Sequence, residues 1–132
     1  MGSMSNYLET AILNAVFRNL AFTSPAIVYL ALYTADPTEA DTGTEVSGGA
    51  YARQAVTFGA PSQVSNRATI SNTADITFPV ASAAWGTITH IGIRSASTAG
   101  NLLYFGPVIN VRSILANDQL KFLAGELVCD LD

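Results

Sequence analysis

The chain has 132 residues, with six Lys and Arg side chains, ten Asp and Glu side chains and a formal net charge of −4. This length corresponds to one domain, and the scattered basic residues form no stripe that could neutralise phosphates, which argues against direct nucleic-acid binding. Charged residues make up 12% of the sequence and hydrophobic residues 49%, whereas soluble domains carry roughly 25% charged residues. We therefore expect an oligomer, or a subunit buried in a larger assembly, rather than a monomer.

The sequence carries no pattern typical of a membrane protein. The N-terminus lacks the basic start and the apolar core of a signal peptide. No run of about 18 apolar residues predicts a membrane span, so we expect no membrane insertion. We expect residues 1–3, Met-Gly-Ser, to be a vector-derived remnant and residues 4–132 to form a single domain.

The first predicted element is a helix over residues 6–21. Asn6 and Glu9 have the spacing of a capping box, and apolar residues recur after them with helical periodicity. The pattern fits a helix that packs on the core of its own domain. The alternative is a helix that docks on another subunit. The candidate assembly face consists of Leu8, Ile12, Val16, Phe17 and Leu20.

Short β-type runs follow the helix and are separated by turn residues such as Gly106-Pro107. The run Ile27–Tyr33 is apolar on both faces, as is typical of a central strand, and Thr87–Arg94 alternates. Because helices and strands do not alternate along the chain, a parallel sheet is not expected. We predict a mainly β fold, an antiparallel β-sandwich (jelly-roll-like) with one N-terminal α-helix. The other predicted strands are Ala52–Phe58, Ala68–Ser71, Ile76–Phe78, Leu102–Gly106, Val108–Val111, Gln119–Leu123 and Glu126–Leu131.

An acidic loop after the first strand is the best candidate for metal chemistry. Asp36, Glu39, Asp41 and Glu45 lie within ten residues of one another, and Ca²⁺ prefers oxygen ligands of this kind. Their spacing does not match an EF-hand loop, so a solvated acidic loop is the favoured interpretation. The Gly48-Gly49 pair lacks the lysine of a phosphate-binding loop and indicates a turn with positive φ instead.

The residue types that catalysis requires are sparse in this sequence. His90 is the only histidine, and no second histidine or cysteine pair could complete a metal site with it. No Gly-x-Ser-x-Gly nucleophile elbow occurs. The single cysteine, Cys129, alternates with apolar residues and is interpreted as a small buried side chain. We therefore expect no catalytic residue, no metal ligand and no cofactor.

The aromatic residues allow a different kind of site. Tyr51 and Trp85 are the candidates for contacting a ligand, because flat aromatic faces can stack on sugar rings. Of the aromatic residues along the strands, Trp85, next to Gly86 at the head of a predicted strand, is the one most expected to be partly exposed. The favoured alternative is that these aromatic residues belong to the core.

Three segments carry a resemblance to a known family: Tyr-Thr-Ala-Asp-Pro at 33–37, Glu-Val-Ser-Gly-Gly-x-Tyr-x-Arg at 45–53 and Trp-Gly-Thr-Ile-Thr-His-Ile-Gly at 85–92. With them, nearly the whole chain resembles small virion structural proteins of the tail-fibre-like type from bacteriophages and prophages. The resemblance implies a non-enzymatic structural protein of a tailed-phage virion. It would be made in the bacterial host cytoplasm and act by oligomeric assembly.

The resemblance leaves the place in the virion open. A tail-fibre or tail-associated position is favoured, and capsid decoration on the phage head is the alternative. A glycan-binding module that recognises the host surface is an alternative of another class. By analogy with threefold fibres and cement proteins, we expect a homotrimer that also contacts other virion proteins.

Overall fold

The computed structural model describes residues 2–131, which form one α-helix and ten β-strands. Helix α1 spans Asn6–Phe17. The strands are β1 (Ser3–Met4), β2 (Val28–Tyr33), β3 (Gln54–Val56), β4 (Ser62–Val64), β5 (Arg67–Ser71), β6 (Ile76–Thr77), β7 (Gly86–Arg94), β8 (Leu102–Ile114), β9 (Lys121–Phe122) and β10 (Val128–Leu131).

The strands pair in three antiparallel sheets. The largest has the order β1-β8-β7-β2-β3, the second β10-β5-β4, and the third consists of β6 and β9. One core cluster joins side chains from all three sheets, including Leu32, Cys129 and Ile76. The prediction of a mainly β, antiparallel fold with a single N-terminal helix is confirmed. The jelly-roll detail stays a prediction.

Strand β2 is an interior strand of the largest sheet. It lies between β7 and β3, and its residues 30–33 are all buried. Leu30 and Leu32 enter the main core, whereas Ala31 and Tyr33 pack on the opposite face with Leu102. The prediction of a strand that is apolar on both faces and central is therefore confirmed, because both faces of this strand are covered.

Helix α1 is shorter than the predicted 6–21 and starts with a different cap. Ser5, not the following asparagine, is the N-cap, and its Oγ accepts a hydrogen bond from the Leu8 N–H at 3.2 Å. The helix ends at Phe17 because Asn19 adopts a positive φ of 55°. Asparagine tolerates this left-handed conformation, which stops a helix even where the apolar periodicity continues.

Strand β8 crosses the predicted turn at Gly106-Pro107, so this prediction is wrong. Strand β1 pairs only with Tyr104 and Phe105 of β8, and the rest of β8 is a sheet edge, where proline costs no ladder hydrogen bond. The ladder between β7 and β8 is irregular: Ile88 pairs with Arg112, but His90, two residues on, pairs with Pro107. Residues 108–111, which lie opposite the single residue Thr89, form what we call the β8 bulge.

Candidate assembly surface

Helix α1 exposes much of its apolar surface. None of its residues is buried, and the side chains of Val16 and Phe17 are 68% and 78% exposed. Leu20, just beyond the helix, is also exposed, whereas Leu8 and Ile12 are half-buried. All five residues of the predicted assembly face therefore retain contact with solvent. A helix of this composition normally buries one side against its own domain.

The start of α1 is held by hydrogen bonds to the rest of the fold, while its end is exposed. Ser5 donates its hydroxyl to the Leu102 carbonyl of β8, and its N–H bonds the Leu103 carbonyl at 2.9 Å. The N–H of Asn6 donates to the Glu39 carbonyl in the acidic loop, also at 2.9 Å. These bonds fix the first turn of the helix on β8 and on the loop. They leave the second half of the helix without a comparable anchor.

An apolar groove of about 260 Å³ opens beside the first turn of α1. Its twelve lining residues come from α1, six strands and the segment after β3, and none of them is charged. They include Leu8, Val28, Ile70 and Cys129. The one hydroxyl in this lining, that of Tyr104, already bonds the Asp130 carboxylate at 3.0 Å. The groove therefore offers hydrophobic contact and little hydrogen bonding.

Groove and helix form one continuous surface, because Leu8 belongs to both. Ile12 and Val16 follow Leu8 at steps of four residues, on the same side of α1. We call the groove together with the exposed side chains of α1 the N-terminal apolar surface. Sequence reasoning found the helical part through its periodicity. It missed the groove, since lining residues scattered from Met4 to Leu131 leave no local signal.

The total surface of the chain is large for its mass. The solvent-accessible area is 7449 Å², whereas a compact monomer of 13.8 kDa exposes about 6,600 Å². The excess, about 800 Å², is of the size that one partner contributes to a standard protein interface.

The Glu45–Arg53 motif is a structural device rather than a ligand site. The Glu45 carboxylate accepts two hydrogen bonds from Arg53, at 2.7 and 2.8 Å, and one from the Tyr51 hydroxyl at 2.8 Å. Arg53 also donates to the carbonyls of Ala96 and Ala99, both at 2.8 Å. Burial alone would raise the pKa of Glu45, but the bonds from Arg53 and Tyr51 outweigh it and lower this pKa. The motif thus ties the acidic loop to the turn between β7 and β8.

A second arginine fixes the same loop. Arg94 is 8% exposed, and its Nη1 donates to both carboxylate oxygens of Asp41, at 2.8 and 2.9 Å, and to the Tyr33 hydroxyl at 3.1 Å. Its Nη2 donates to the Gly100 carbonyl at 3.0 Å. Removal of Asp41 would leave the charge of the Arg94 side chain, 9% exposed, without its carboxylate partner, so the pair favours the docked loop.

The acidic loop is exposed along most of its length, as the interpretation of a solvated loop expects, but two of its four carboxylates are paired with arginines. Asp41 and Glu45 bind arginines, and Asp36 accepts the Thr38 N–H at 2.8 Å. The Glu39 carboxylate has no side-chain partner, and within residues 2–131 no group of three metal-binding side chains occurs. The loop folds back on the sheet because its arginine partners come from distant strands, which local sequence does not reveal.

Trp85 lies in the core, so the prediction that it is partly exposed is wrong. It is 5% exposed, its Nε1 donates to the Gly49 carbonyl at 2.8 Å, and its ring packs edge-on against Tyr51 with centroids 5.5 Å apart. The Tyr51 hydroxyl is engaged by Glu45 and by the Leu32 N–H. These contacts occupy both candidate ligand residues, and they support the alternative that the aromatic residues build the core.

The turn predicted at Gly48-Gly49 is confirmed, since φ is 75° and 58° at the two residues. A Cβ on Gly49 would lie 2.9 Å from the Trp85 ring and from the Ala83 carbonyl, so only glycine allows this approach. Cys129 is buried, as predicted, and burial raises the pKa of its thiol to about 12. It therefore behaves as a small apolar residue of the core.

The sequence matches, over residues 3–130, a family model described as podophage GP4 fiber I protein gp80. The chain belongs to this family. Membership makes it a phage fibre structural protein and confirms the resemblance to tail-fibre-like virion proteins. It also implies that the protein resides in the virion and associates with other virion components. A search of curated proteins found no match. Within the described residues, no helix has the length and hydrophobicity that crossing a membrane requires.

Proposed function

We propose that this fibre-family protein is a non-enzymatic subunit that assembles with copies of itself, as a homotrimer, through the N-terminal apolar surface. The observation that carries the proposal is α1, an apolar helix with no buried residue on a chain with only 12% charged residues. Burying an apolar side chain such as that of Val16 or Phe17 stabilises an interface by about 1.5–3 kcal/mol. The groove adjoining the helix extends the same apolar area.

The polar residues support a structural role. His90 contacts Thr89, with 2.9 Å between Nδ1 and Oγ1, and its Nε2 lies 3.8 Å from an Asp36 oxygen. Glu45 and Asp41 are committed to arginines that fix loops. The threefold symmetry follows the analogy with phage fibres, in which three identical subunits close around one axis.

Self-assembly is tested by multi-angle light scattering after size exclusion, across a range of micromolar concentrations. We expect a trimer for the natural chain. Val16→Asp and Phe17→Asp place a charge in the interface, and we expect both variants to be monomeric with unchanged circular dichroism. Val80→Asp, at an exposed valine in the segment between β6 and β7, is the matched control and should remain trimeric. A natural chain that is monomeric at every concentration would contradict the proposal.

A further inference from the structure

A second apolar feature lies away from the N-terminal apolar surface. Ile109, in the β8 bulge, is 95% exposed, and Val111 in the same bulge is 60% exposed. Among the described residues, no strand pairs with the outer edge of β8 beyond Phe105. Pro107 and the bulge interrupt that edge, and such interruptions block the addition of a partner strand. The bulge is therefore suited to inserting a side chain rather than to extending the sheet.

The unpaired charges of the chain divide between the two apolar features. Within residues 2–131, every Lys and Arg side chain except Arg112, at the end of the bulge, has a hydrogen-bond or ion-pair partner. Among the acidic side chains of the same residues, only Glu9 and Glu39 have none. Glu9 lies in the first turn of α1, and the Glu39 carbonyl accepts the N–H of Asn6 at 2.9 Å. The unpaired arginine therefore lies at the bulge, and the two unpaired carboxylates lie at the start of the helix, beside the groove.

The two features are too far apart to meet within one chain. Tyr104, which lines the groove, pairs with Ile93, and Arg112, beside the bulge, pairs with Ile88. Five residues of an extended strand span roughly 17 Å. A twofold interface joins bulge to groove only if both features lie within one contact patch of each copy. A head-to-tail interface brings unlike features together and, if the rotation closes, forms a ring.

We propose that the β8 bulge of one copy inserts Ile109 into the apolar groove of a second copy, with Arg112 facing Glu9 and Glu39 of the partner subunit. The inference rests on the self-assembly proposed above and names the surface that meets the N-terminal apolar surface. The groove, of about 260 Å³, has room for the side chain, since a cavity of about 150 Å³ already holds benzene. The charge pair sets the orientation of the two copies more than their affinity.

Cross-linking tests the contact directly at Leu131, which lines the groove and is 44% exposed, whereas the native Cys129 thiol is buried. In a chain carrying Cys129→Ala, Leu131→Cys places a thiol in the groove and Ile109→Cys places one in the bulge, and diamide is the oxidant. A disulfide requires Cα atoms within about 7 Å, so we expect dimers and trimers on non-reducing gels only if the bulge enters a partner's groove. Omitting Leu131→Cys should abolish the cross-links. Leu123→Cys in place of Ile109→Cys, at an exposed leucine between β9 and β10, is the matched control and should give none.

The outcomes separate the two proposals. A chain that is trimeric by light scattering but gives no cross-link between positions 109 and 131 overturns the bulge contact and leaves self-assembly standing. Cross-links that persist without Leu131→Cys show bulge against bulge, which also overturns the proposed contact. A natural chain that is monomeric in light scattering overturns self-assembly itself.

A charge exchange provides a second readout that needs no oxidation. Arg112→Glu alone, or Glu9→Lys with Glu39→Lys, brings like charges together, and we expect the dissociation constant of the assembly to rise about tenfold at low salt. The chain carrying all three substitutions restores opposite charges and should recover the natural affinity. Failure of the triple variant to recover, while its unfolding midpoint stays natural, overturns the assigned pairing.

Discussion

Single residues of the family motif act by joining distant parts of the fold. The Glu45 carboxylate accepts hydrogen bonds from Arg53 and Tyr51. The Arg53 guanidinium also donates to carbonyls of the β7–β8 turn. Three segments are thereby connected through one partly buried ion pair. In such a pair the loss of either partner costs more than the pair itself contributes, since the remaining charge stays poorly solvated.

For Glu45→Gln we expect a loss of about 2–3 kcal/mol in the free energy of unfolding at pH 7, because a charge-assisted network is lost. The folded pKa of Glu45 is lowered from its ordinary value of 4.5. Its stabilising contribution is therefore complete above pH 4.5 and is lost as pH falls through the lowered folded pKa. Urea unfolding at pH 7 and pH 3 should show the difference between natural chain and variant shrinking in acid. Glu39→Gln, at a carboxylate without a side-chain partner, should change stability by less than about 0.5 kcal/mol.

The neighbouring glycines of the motif provide a matched pair. Gly49→Ala places a Cβ at 2.9 Å from the Trp85 ring at a positive φ, and we expect a loss of about 2–4 kcal/mol from strain and overpacking. Gly48→Ala meets no atom within 4 Å, so only the positive φ opposes it, at about 1–2 kcal/mol. Urea unfolding of both variants measures the difference. Equal losses would show that the contact with Trp85 is not the reason for glycine at position 49.

At the scale of elements, helix α1 depends on its first turn. Ser5 is 1% exposed, caps the helix and bonds the Leu102 carbonyl. It thereby couples helix formation to the docking of the helix on β8. Local sequence indicated a helix here from its periodicity. The cap was assigned one residue too late, because Asn6 followed by Glu9 fits the capping-box spacing better than Ser5 does.

We expect Ser5→Ala to lower the free energy of unfolding by about 1–2 kcal/mol, since it removes an N-cap and leaves a buried carbonyl without its donor. Asn6→Ala keeps the cap and should cost less than about 0.5 kcal/mol. Urea unfolding followed by circular dichroism checks both variants. A larger loss for Asn6→Ala than for Ser5→Ala would show that the sequence-based cap is the functional one.

Other elements show why some sequence-based predictions failed. Gly106-Pro107 is a strong turn signal, but the open outer edge of β8 accommodates it within a strand. Strand β4 was not predicted, since Ser62-Gln63-Val64 has a single apolar residue. It forms through a hairpin whose turn residues Ser65 and Asn66 both have positive φ. In both cases pairing with a neighbouring strand decides the outcome, which residue types alone do not encode.

At the scale of the whole molecule, the family match and the exposed apolar features both favour a subunit of a larger assembly. The chain belongs to a family of phage fibre proteins, and it combines a low charge content with a helix that has no buried residue. Its surface exceeds that of a compact monomer of equal mass by about 800 Å². These properties suit a subunit that is stable in an assembly.

A cryo-EM map of the virion tests this view. We expect density for the chain in the tail fibres, in groups of three, with α1 at a contact between copies. Density on the head would instead establish capsid decoration. Copies in the fibre with α1 facing solvent would contradict the assigned assembly surface, even if the location were correct.

The sequence by itself determined the fold class, the helix, the central strand β2 and the family. These depend on local periodicity and on motifs, which the order of residues records directly. The groove, the burial of Trp85 and the arginine partners of the acidic loop were decided only by the tertiary structure. Each of them brings together side chains that are far apart in the chain, and whether a side chain is buried or paired depends on what the fold places against it.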